Sequence, residues 1–71
     1  MRIKYDAEVD VLMIYLREGE YYESDEVAPN IIMDFDEQGA ALAIEILNAR
    51  QVLGVEDTLN LEVPVILKQT A

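Results

Sequence analysis

Polar and apolar residues alternate at the start of the chain and then give way to a continuous apolar run. Ile3 and Tyr5 alternate with Lys4, which predicts a half-buried strand. The polar residues 6–10 predict a turn, in which Asp side chains accept hydrogen bonds from amides two residues further on. Residues 11–16 (VLMIYL) are apolar on both sides, as is typical of an interior strand covered on both faces. The two strands form the first predicted hairpin.

A second hairpin is predicted between residues 31–35 and residues 40–47, with the loop DEQG between them. Gly39 suits the left-handed position at the end of such a loop. A four-residue loop sets three pairs of opposite residues: Phe35 with Ala40, Met33 with Leu42, and Ile31 with Ile44. One face then carries Ile31, Met33, Phe35, Leu42, Ile44 and Ile46, and the other carries Ile32, Asp34, Ala41, Ala43 and Glu45. The preceding residues 17–30 contain Pro29 and are predicted to be a loop or an irregular sheet edge.

The C-terminal third contains one predicted helix. Asn48 is its predicted N-cap, the segment ARQVL its body, and Gly54 its end. Residues 59–67 alternate again, and Pro64 restricts them to a sheet edge, so they are either an edge strand of the same sheet or an arm across a neighbouring chain. The predicted fold class is therefore α+β: a small antiparallel β-sheet of two consecutive hairpins, one short helix, and a C-terminal edge strand or arm.

Length and composition predict a single small domain over residues 1–71, with the C-terminal strand or arm in residues 55–71. A chain of this size buries only about 60% of the surface that it exposes when unfolded. It has no cysteine for a disulfide or a thiolate metal site, yet 52% of its residues are hydrophobic. One short helix and a tail do not cover both faces of the strand at 11–16. We therefore expect a homodimer or a larger homo-oligomer.

Charge excludes several classes of partner. Fifteen acidic residues against five basic ones give a formal net charge of −10, which repels phosphate backbones and anionic membranes. The longest apolar run, residues 11–16, is far shorter than the ~20 residues of a membrane span. No signal-peptide pattern precedes the first predicted strand, so the expected location is cytoplasmic. Of the remaining partners, a basic protein suits the acidic surface.

The stretch DFDEQGAALAIE nearly matches the calcium-loop pattern D-x-[DN]-x-[DN]-G-x5-E, from which Gln38 departs. Its defining residues are otherwise in place: Asp34, Asp36, Gly39 and Glu45. An EF-hand also needs a helix before the loop, whereas Pro29 and the residues after it predict a strand. In the predicted hairpin Asp34 and Glu45 are roughly 13 Å apart, which is too far for one ion. The stretch is therefore predicted to be a β-hairpin.

Two acidic turns remain candidates for weak binding of a divalent cation. Asp34, Asp36 and Glu37 offer the oxygen ligands that hard cations prefer, with water completing the shell. A solvated acidic turn is the simpler interpretation of the same residues. Both interpretations apply equally to the first turn, which carries Asp6, Glu8 and Asp10. No cofactor is predicted.

The residue types argue against catalysis. The chain has no histidine and no cysteine, so the usual general base and the usual strong nucleophile are missing. Ser24 lies among acidic residues, which offer no oxyanion donor. Tyr5 and Tyr15 are predicted to be core or interface residues, and Tyr21 and Tyr22 to pack a loop onto the sheet. We expect a non-catalytic protein-interaction or homo-oligomerisation module, with weak divalent-cation binding as the alternative.

Three segments carry a family resemblance. The pattern Y-D-x-x-x-D-x-L-x-I is matched by Tyr5, Asp6, Asp10, Leu12 and Ile14. The pattern E-x-x-P-x-I-x-x-D-x-D-x-x-G is matched by Glu26, Pro29, Ile31, Asp34, Asp36 and Gly39, and the segment I-E-I-L by residues 44–47. In this combination the chain resembles the bacterial and archaeal family known as domain of unknown function 2283, over about residues 3–50. Residues 40–43 are more apolar than in many relatives, and residues 59–67 lie outside the pattern. The resemblance implies a small sheet-plus-helix domain and supplies no activity.

Overall fold

The computed structural model describes residues 1–58, 60, 62 and 64–66. Within them the chain forms a five-stranded antiparallel sheet and a short helix, so the predicted α+β class is confirmed. The elements are β1 (Arg2–Asp6), β2 (Val11–Tyr15), β3 (Glu23–Ala28), β4 (Ile31–Phe35), β5 (Ala41–Leu47) and α1 (Ala49–Leu53). The strands lie in the order β1-β2-β5-β4-β3, which places β5 at the centre and β1 and β3 at the edges.

Both predicted hairpins are present, and the pairing of β2 with β5 joins them into one sheet. The first turn forms as predicted, since the amide of Glu8 donates to Oδ1 of Asp6 over 3.0 Å. The segment predicted as a loop or an irregular edge contains β3, which pairs with β4. Its register shifts between Glu26 and Ala28, and Pro29 follows directly, so β3 is an irregular edge strand.

The loop between β4 and β5 is one residue shorter than predicted. The amide of Asp36 donates to the carbonyl of Ala40 over 2.9 Å, and that of Gly39 donates to the carbonyl of Asp36 over 3.0 Å. Gly39 has the expected left-handed conformation, with φ 86°. This is a three-residue hairpin loop, which ends on a left-handed residue. Phe35 therefore pairs with Ala41 instead of Ala40.

A bulge at Leu42 adds a second shift, because Asp34 pairs with Ala43 directly after the Phe35–Ala41 pair. The pairs beyond the bulge are thus displaced by two residues from the predicted ones: Met33 with Ile44, and Ile31 with Ile46. Since side chains alternate with a period of two, these residues keep their predicted faces. The prediction is wrong for Leu42, which lines the same surface cavity as Ala43 and Asp34 on the other face. It is also wrong for Ala41, which lies opposite Phe35 and therefore on the face of Phe35.

Helix α1 is present, with Asn48 at the N-cap position and Gly54 at its end as predicted, but the Asn48 side chain does not cap the helix. Asn48 has a left-handed backbone, with φ 50°, and makes no side-chain capping bond. An N-cap residue normally has an extended backbone, which lets its side chain reach the first helical amides. Asp10, in the turn between β1 and β2, supplies the cap instead. Its carbonyl accepts from the amide of Ala49 at 3.0 Å, and its carboxylate accepts from the amide of Arg50 at 3.1 Å.

The core lies where α1 meets the sheet. Leu12, Ile46 and Ala49 are buried there, and three half-buried residues pack against them: Ile14, Ile44 and Val52. Strand β2 is an interior strand, as predicted, but the described residues do not cover both of its faces. Its side chains on the other face are only half-buried: Val11, Met13 and Tyr15.

About half of the C-terminal strand or arm predicted for residues 55–71 lies outside the described residues. Residues 60, 62 and 64–66, which are described, have no regular secondary structure, and Val65 and Ile66 are exposed. Within the part of the chain that the structure describes, no helix is long and apolar enough to cross a membrane.

Candidate functional site

The Asp36 carboxylate is built into the hairpin loop. Its Oδ1 accepts from the amides of Gln38 at 3.0 Å and Ala40 at 2.8 Å, and its Oδ2 faces a guanidinium nitrogen of Arg17 at 3.4 Å. Asp36 is only 8% exposed, and these donors compensate the cost of burying its charge. The residue therefore closes the loop, and its lone pairs already have partners.

Asp34 points across the β3–β4 pair. Its Oδ1 accepts from the hydroxyl of Ser24 at 2.6 Å, and the Tyr21 hydroxyl lies 2.8 Å from the same Ser24 oxygen. Glu37 is exposed at the tip of the loop. Among the described residues no three Asp, Glu, His or Cys side chains form a group able to hold a metal ion, so Asp34, Asp36 and Glu37 form no such group. Divalent-cation binding at this turn stays a prediction.

The carboxylates of the first turn also have structural partners. Asp6 accepts the amide of Glu8 within the turn. Asp10 accepts a hydrogen bond from the Tyr5 hydroxyl at 2.7 Å in addition to the Arg50 amide. The bond to Asp10 raises the pKa of Tyr5, with smaller contributions from burial and from the negative charge of Asp10, because ionised tyrosine loses the proton that it donates.

The capping role of Asp10 is what sequence reasoning missed. Asp10 caps a helix 40 residues further along the chain, whereas capping rules look only at residues adjacent to the helix. Its φ of 57° places it among three non-glycine residues with a left-handed backbone, all of them Asp or Asn: Asp10, Asn30 and Asn48. Asn48 also donates through Nδ2 to Oδ1 of Asn30 at 3.1 Å. These turns fix where α1 lies on the sheet.

We call the sheet surface that carries α1 the helix-side face. Strand register assigns its side chains on β1, β2, β4 and β5, and all of them are apolar or aromatic: Ile3, Tyr5, Leu12, Ile14, Ile31, Met33, Phe35, Ala41, Ile44 and Ile46. The acidic side chains of this face lie on the edge strand β3, where Glu23 is opposite Phe35 and Asp25 is opposite Met33. The face is thus a continuous apolar surface with an acidic border.

Helix α1 covers only one end of the helix-side face. Of the ten residues above, only Leu12 and Ile46 are buried. Ile3 is 36% exposed and Tyr5 is 42% exposed, although both are large apolar side chains on an edge strand. An exposed apolar surface of this kind is typical of a site of protein contact.

The opposite face has a mixed character. One row across its strands consists of charged and apolar residues in alternation: Lys4, Met13, Glu45, Ile32 and Glu26. In the next row the guanidinium of Arg2 lies over the Tyr15 ring, 4.3 Å from its centroid. This face therefore has more charge to desolvate than the helix-side face.

Two cavities accompany these faces. One of about 320 Å³ lies beside α1 and continues the helix-side face; its lining is apolar at Tyr5, Leu12, Leu53 and Val55 and charged at Arg50, Glu56 and Asp57. The other, of about 690 Å³, is an open depression on the opposite face. Its lining contains both basic and acidic groups: Arg2, Arg17, Glu18 and Asp34. Neither arrangement supplies the paired base and nucleophile that covalent catalysis uses.

Tyr21 and Tyr22 are not positioned as predicted. Tyr21 is 60% exposed and Tyr22 is 59% exposed, so the prediction that they pack a loop onto the sheet is wrong. Tyr21 instead contacts Ser24, and the backbone of Tyr22 donates to the carbonyl of Phe35. The loop is held by these polar contacts rather than by the aromatic rings.

Comparison with known proteins places the chain among uncharacterised relatives. The family model described as "Protein of unknown function (DUF2283)" matches residues 2–50. An uncharacterized protein of Methanocaldococcus jannaschii is 39% identical over 56 residues, which are 79% of this chain and 47% of the relative. The chain thus spans about half the length of that curated relative. No solved structure matches the chain.

The family match includes the strands β1 to β5, the turns closed by Asp10 and Asp36, and the start of α1. The family resemblance of the three sequence motifs is therefore confirmed by a match over the larger part of the chain. On this match, the chain belongs to the family described as "Protein of unknown function (DUF2283)".

Proposed function

We propose that this protein is a non-catalytic homo-oligomerisation module in which the helix-side face packs against the same face of a second copy. The observation that supports the proposal is the incomplete cover of this face, where only Leu12 and Ile46 are buried among ten apolar or aromatic residues. A second sheet, stacked at the usual distance of about 10 Å, supplies the missing layer. Burial of this surface gives the main driving force for association.

The helix-side face suits self-association better than the opposite face does. Its central strands present isoleucine, leucine and methionine, whereas Glu45 lies on the central strand of the opposite face. Two copies joined through the opposite face would bring two Glu45 carboxylates together in a partly desolvated interface, which is costly. The acidic border on β3 also makes a basic protein a suitable further partner for the assembled module.

The test compares two neighbouring residues of β4 that face opposite ways. Met33 lies on the helix-side face opposite Asp25, and Ile32 lies on the other face opposite Glu26, so a lysine at either position has a carboxylate beside it. Light scattering at tens of micromolar is expected to show an oligomer for the natural chain. Met33→Lys should reduce the mass of the particle, and Ile32→Lys should leave it unchanged.

Circular dichroism and urea unfolding of both variants control for loss of the fold. A natural chain that is monomeric at tens of micromolar would contradict the proposal. So would an unchanged mass for a folded Met33→Lys variant, since the apolar contact would then lie elsewhere.

A further inference from the structure

The outer edge of β1 has hydrogen-bonding groups without partners among the described residues. The amide of Leu16 donates to the carbonyl of Leu42 on β5, and that of Leu47 donates to the carbonyl of Asn30 beyond β4. Backbone groups of successive residues point to alternate sides of a strand. The even-numbered residues of β2 therefore point towards β5, and the odd-numbered ones point towards β1.

This alternation fixes the direction of every backbone group in β1. Tyr15 and Met13 point towards β1 and lie opposite Arg2 and Lys4, so the even-numbered residues of β1 bond to β2. The odd-numbered residues, Ile3 and Tyr5, then direct their N–H and C=O groups away from the sheet. No described strand pairs with that side of β1.

The two edges of the sheet differ in how well they are protected. Strand β3 has a bulge, a following proline and the acidic residues Glu23, Asp25 and Glu26, all of which oppose strand pairing between copies. Strand β1 has a continuous register over its five residues and no proline. It carries Arg2 and Lys4, in a chain with only five basic residues. Two copies of β1 therefore avoid the repulsion that two copies of β3 would meet.

We propose that β1 pairs antiparallel with β1 of a second copy, around a two-fold axis perpendicular to the sheet. The backbone N–H and C=O groups of Ile3 then bond to those of Tyr5 in the second copy. By symmetry, those of Tyr5 bond to Ile3 of the second copy. The same register places Arg2 opposite Asp6 of the second copy twice, on the opposite face. This charge complementarity identifies a second copy, rather than an unrelated peptide, as the occupant of the edge.

Two neighbouring registers are less favourable. Moving the second copy by two residues in one direction opposes Arg2 to Lys4, which are like charges. Moving it by two in the other direction opposes Lys4 to Asp6 twice, but it pairs only three residues of β1 and leaves Arg2 beyond the strand. The proposed register uses all five residues of β1 and has one unfavourable pair, Lys4 opposite Lys4 of the second copy.

The assembly that this pairing leads to rests on the proposed function, because it needs the contact between helix-side faces as well as the edge contact. The helix-side face of one copy measures roughly 24 Å by 17 Å, or about 400 Å², for five strands of five residues. A stable interface buries about 800 Å² on each partner. Edge pairing makes the helix-side faces of two copies continuous and doubles this area. Two such ten-stranded sheets, stacked through their helix-side faces, form a closed tetramer with 222 symmetry.

Light scattering on charge variants of the full chain tests the edge contact. The natural chain should have the mass of four 8.1 kDa chains. Arg2→Glu turns two attractive pairs into two repulsive ones, so the dissociation constant of the edge contact should rise about 30-fold and the mass of the particle should fall below that of the tetramer. Asp6→Arg should do the same. An equimolar mixture of the two variants should regain the tetramer, because each contact between unlike copies restores both pairs.

Failure of the edge contact and failure of the proposed function are distinguishable. If the helix-side face is not an interface, the natural chain is a dimer, Arg2→Glu is a monomer and Met33→Lys has no effect. If the edge contact is absent, Arg2→Glu leaves the mass unchanged, and the mixture does too. That second result would overturn the inference.

Hydrogen exchange of the natural chain gives a measurement that needs no variant. The amides of Ile3 and Tyr5 should be protected at high protein concentration and lose protection on dilution, while those of Arg2 and Lys4 stay protected throughout. Fast exchange of Ile3 and Tyr5 at every concentration would refute the pairing. Protection that is independent of concentration would also refute it, because a contact within one copy would then occupy the edge.

Discussion

Asp10 joins the first turn to the N-terminus of α1, and replacing it measures what this connection contributes to stability. Its carboxylate is the described side-chain acceptor for the Arg50 amide, at 3.1 Å and 3.4 Å from its two oxygens. Its backbone is left-handed, with φ 57°. A substitution therefore tests two separate effects, the loss of the acceptor and the strain of a side chain in this conformation.

Three substitutions separate these effects. Asp10→Gly removes the carboxylate without backbone strain and should lower the free energy of unfolding by about 1 kcal/mol, the usual contribution of a cap. Asp10→Ala adds the left-handed strain of a residue with a Cβ atom and should cost about 2–3 kcal/mol in total. Asp10→Asn keeps an acceptor and tolerates the backbone, so it should cost about 0.5 kcal/mol through the lost charge at the helix N-terminus.

The total free energy of unfolding of a 71-residue chain is roughly 4–11 kcal/mol. The expected losses are a measurable share of it. Urea unfolding gives the free energies, with all variants at one protein concentration because association adds to apparent stability. The dependence of the free energy on urea should be the same in all variants. Equal stability of Asp10→Gly and the natural chain, or equal losses for Asp10→Asn and Asp10→Gly, would refute the capping role.

Two further predictions concern the same acidic turns. The hydrogen bond from Tyr5 to Asp10 raises the pKa of Tyr5 in the folded chain, so its contribution to stability should be complete below about pH 10 and decline as the pH rises further; an absorbance titration of the natural chain and of the variant should show that Asp10→Asn lowers the pKa of Tyr5. Sub-millimolar calcium, magnesium or manganese should leave the melting temperature unchanged, because the Asp36 carboxylate is already bonded within its loop. A rise of several degrees that Asp34→Asn abolishes would instead support the divalent-cation alternative.

The patterns in the sequence predict most of the elements, because each depends on local information. The alternation in β1, the apolar run in β2 and the two runs around Gly39 are strand signals, and the helix after Asn48 has a local end at Gly54. Strand β3 has no such signal, since its sequence ESDEVA is mainly acidic. It is a strand because its backbone pairs with β4, and that pairing cannot be predicted from the sequence of β3 alone.

The errors arise where a side chain or a distant segment decides the backbone. The Asp36 carboxylate bonds to the amides of Gln38 and Ala40 and so closes the hairpin loop one residue early. Leu42 leaves its predicted face at a bulge, and Gly19 of the loop after β2 lies against it. A Cβ atom on that glycine would come within 2.6 Å of a Leu42 methyl group. Such a contact between residues 23 positions apart cannot be deduced from periodicity.

The motif residues that identify the family have structural tasks in this chain. Tyr5 and Asp10 hold the first turn against α1, Asp6 closes that turn, and Asp36 and Gly39 shape the second. Their carboxylates bond to amides and hydroxyls of the chain itself. The motifs therefore describe how the sheet is built. The function is to be sought on the surfaces that the turns leave exposed, above all the helix-side face and the outer edge of β1.

A strongly acidic surface is compatible with such an assembly, because its charge limits further association. An exposed apolar face and an open strand edge expose a small protein to indiscriminate aggregation. The acids of β3 repel the β3 edge of any other copy, so a sheet that grows through β1 stops at two copies. The net charge of −10 adds repulsion between finished assemblies. Removing acids from β3, for example by Glu23→Gln with Asp25→Asn, should therefore leave the tetramer intact and promote its further association at low ionic strength.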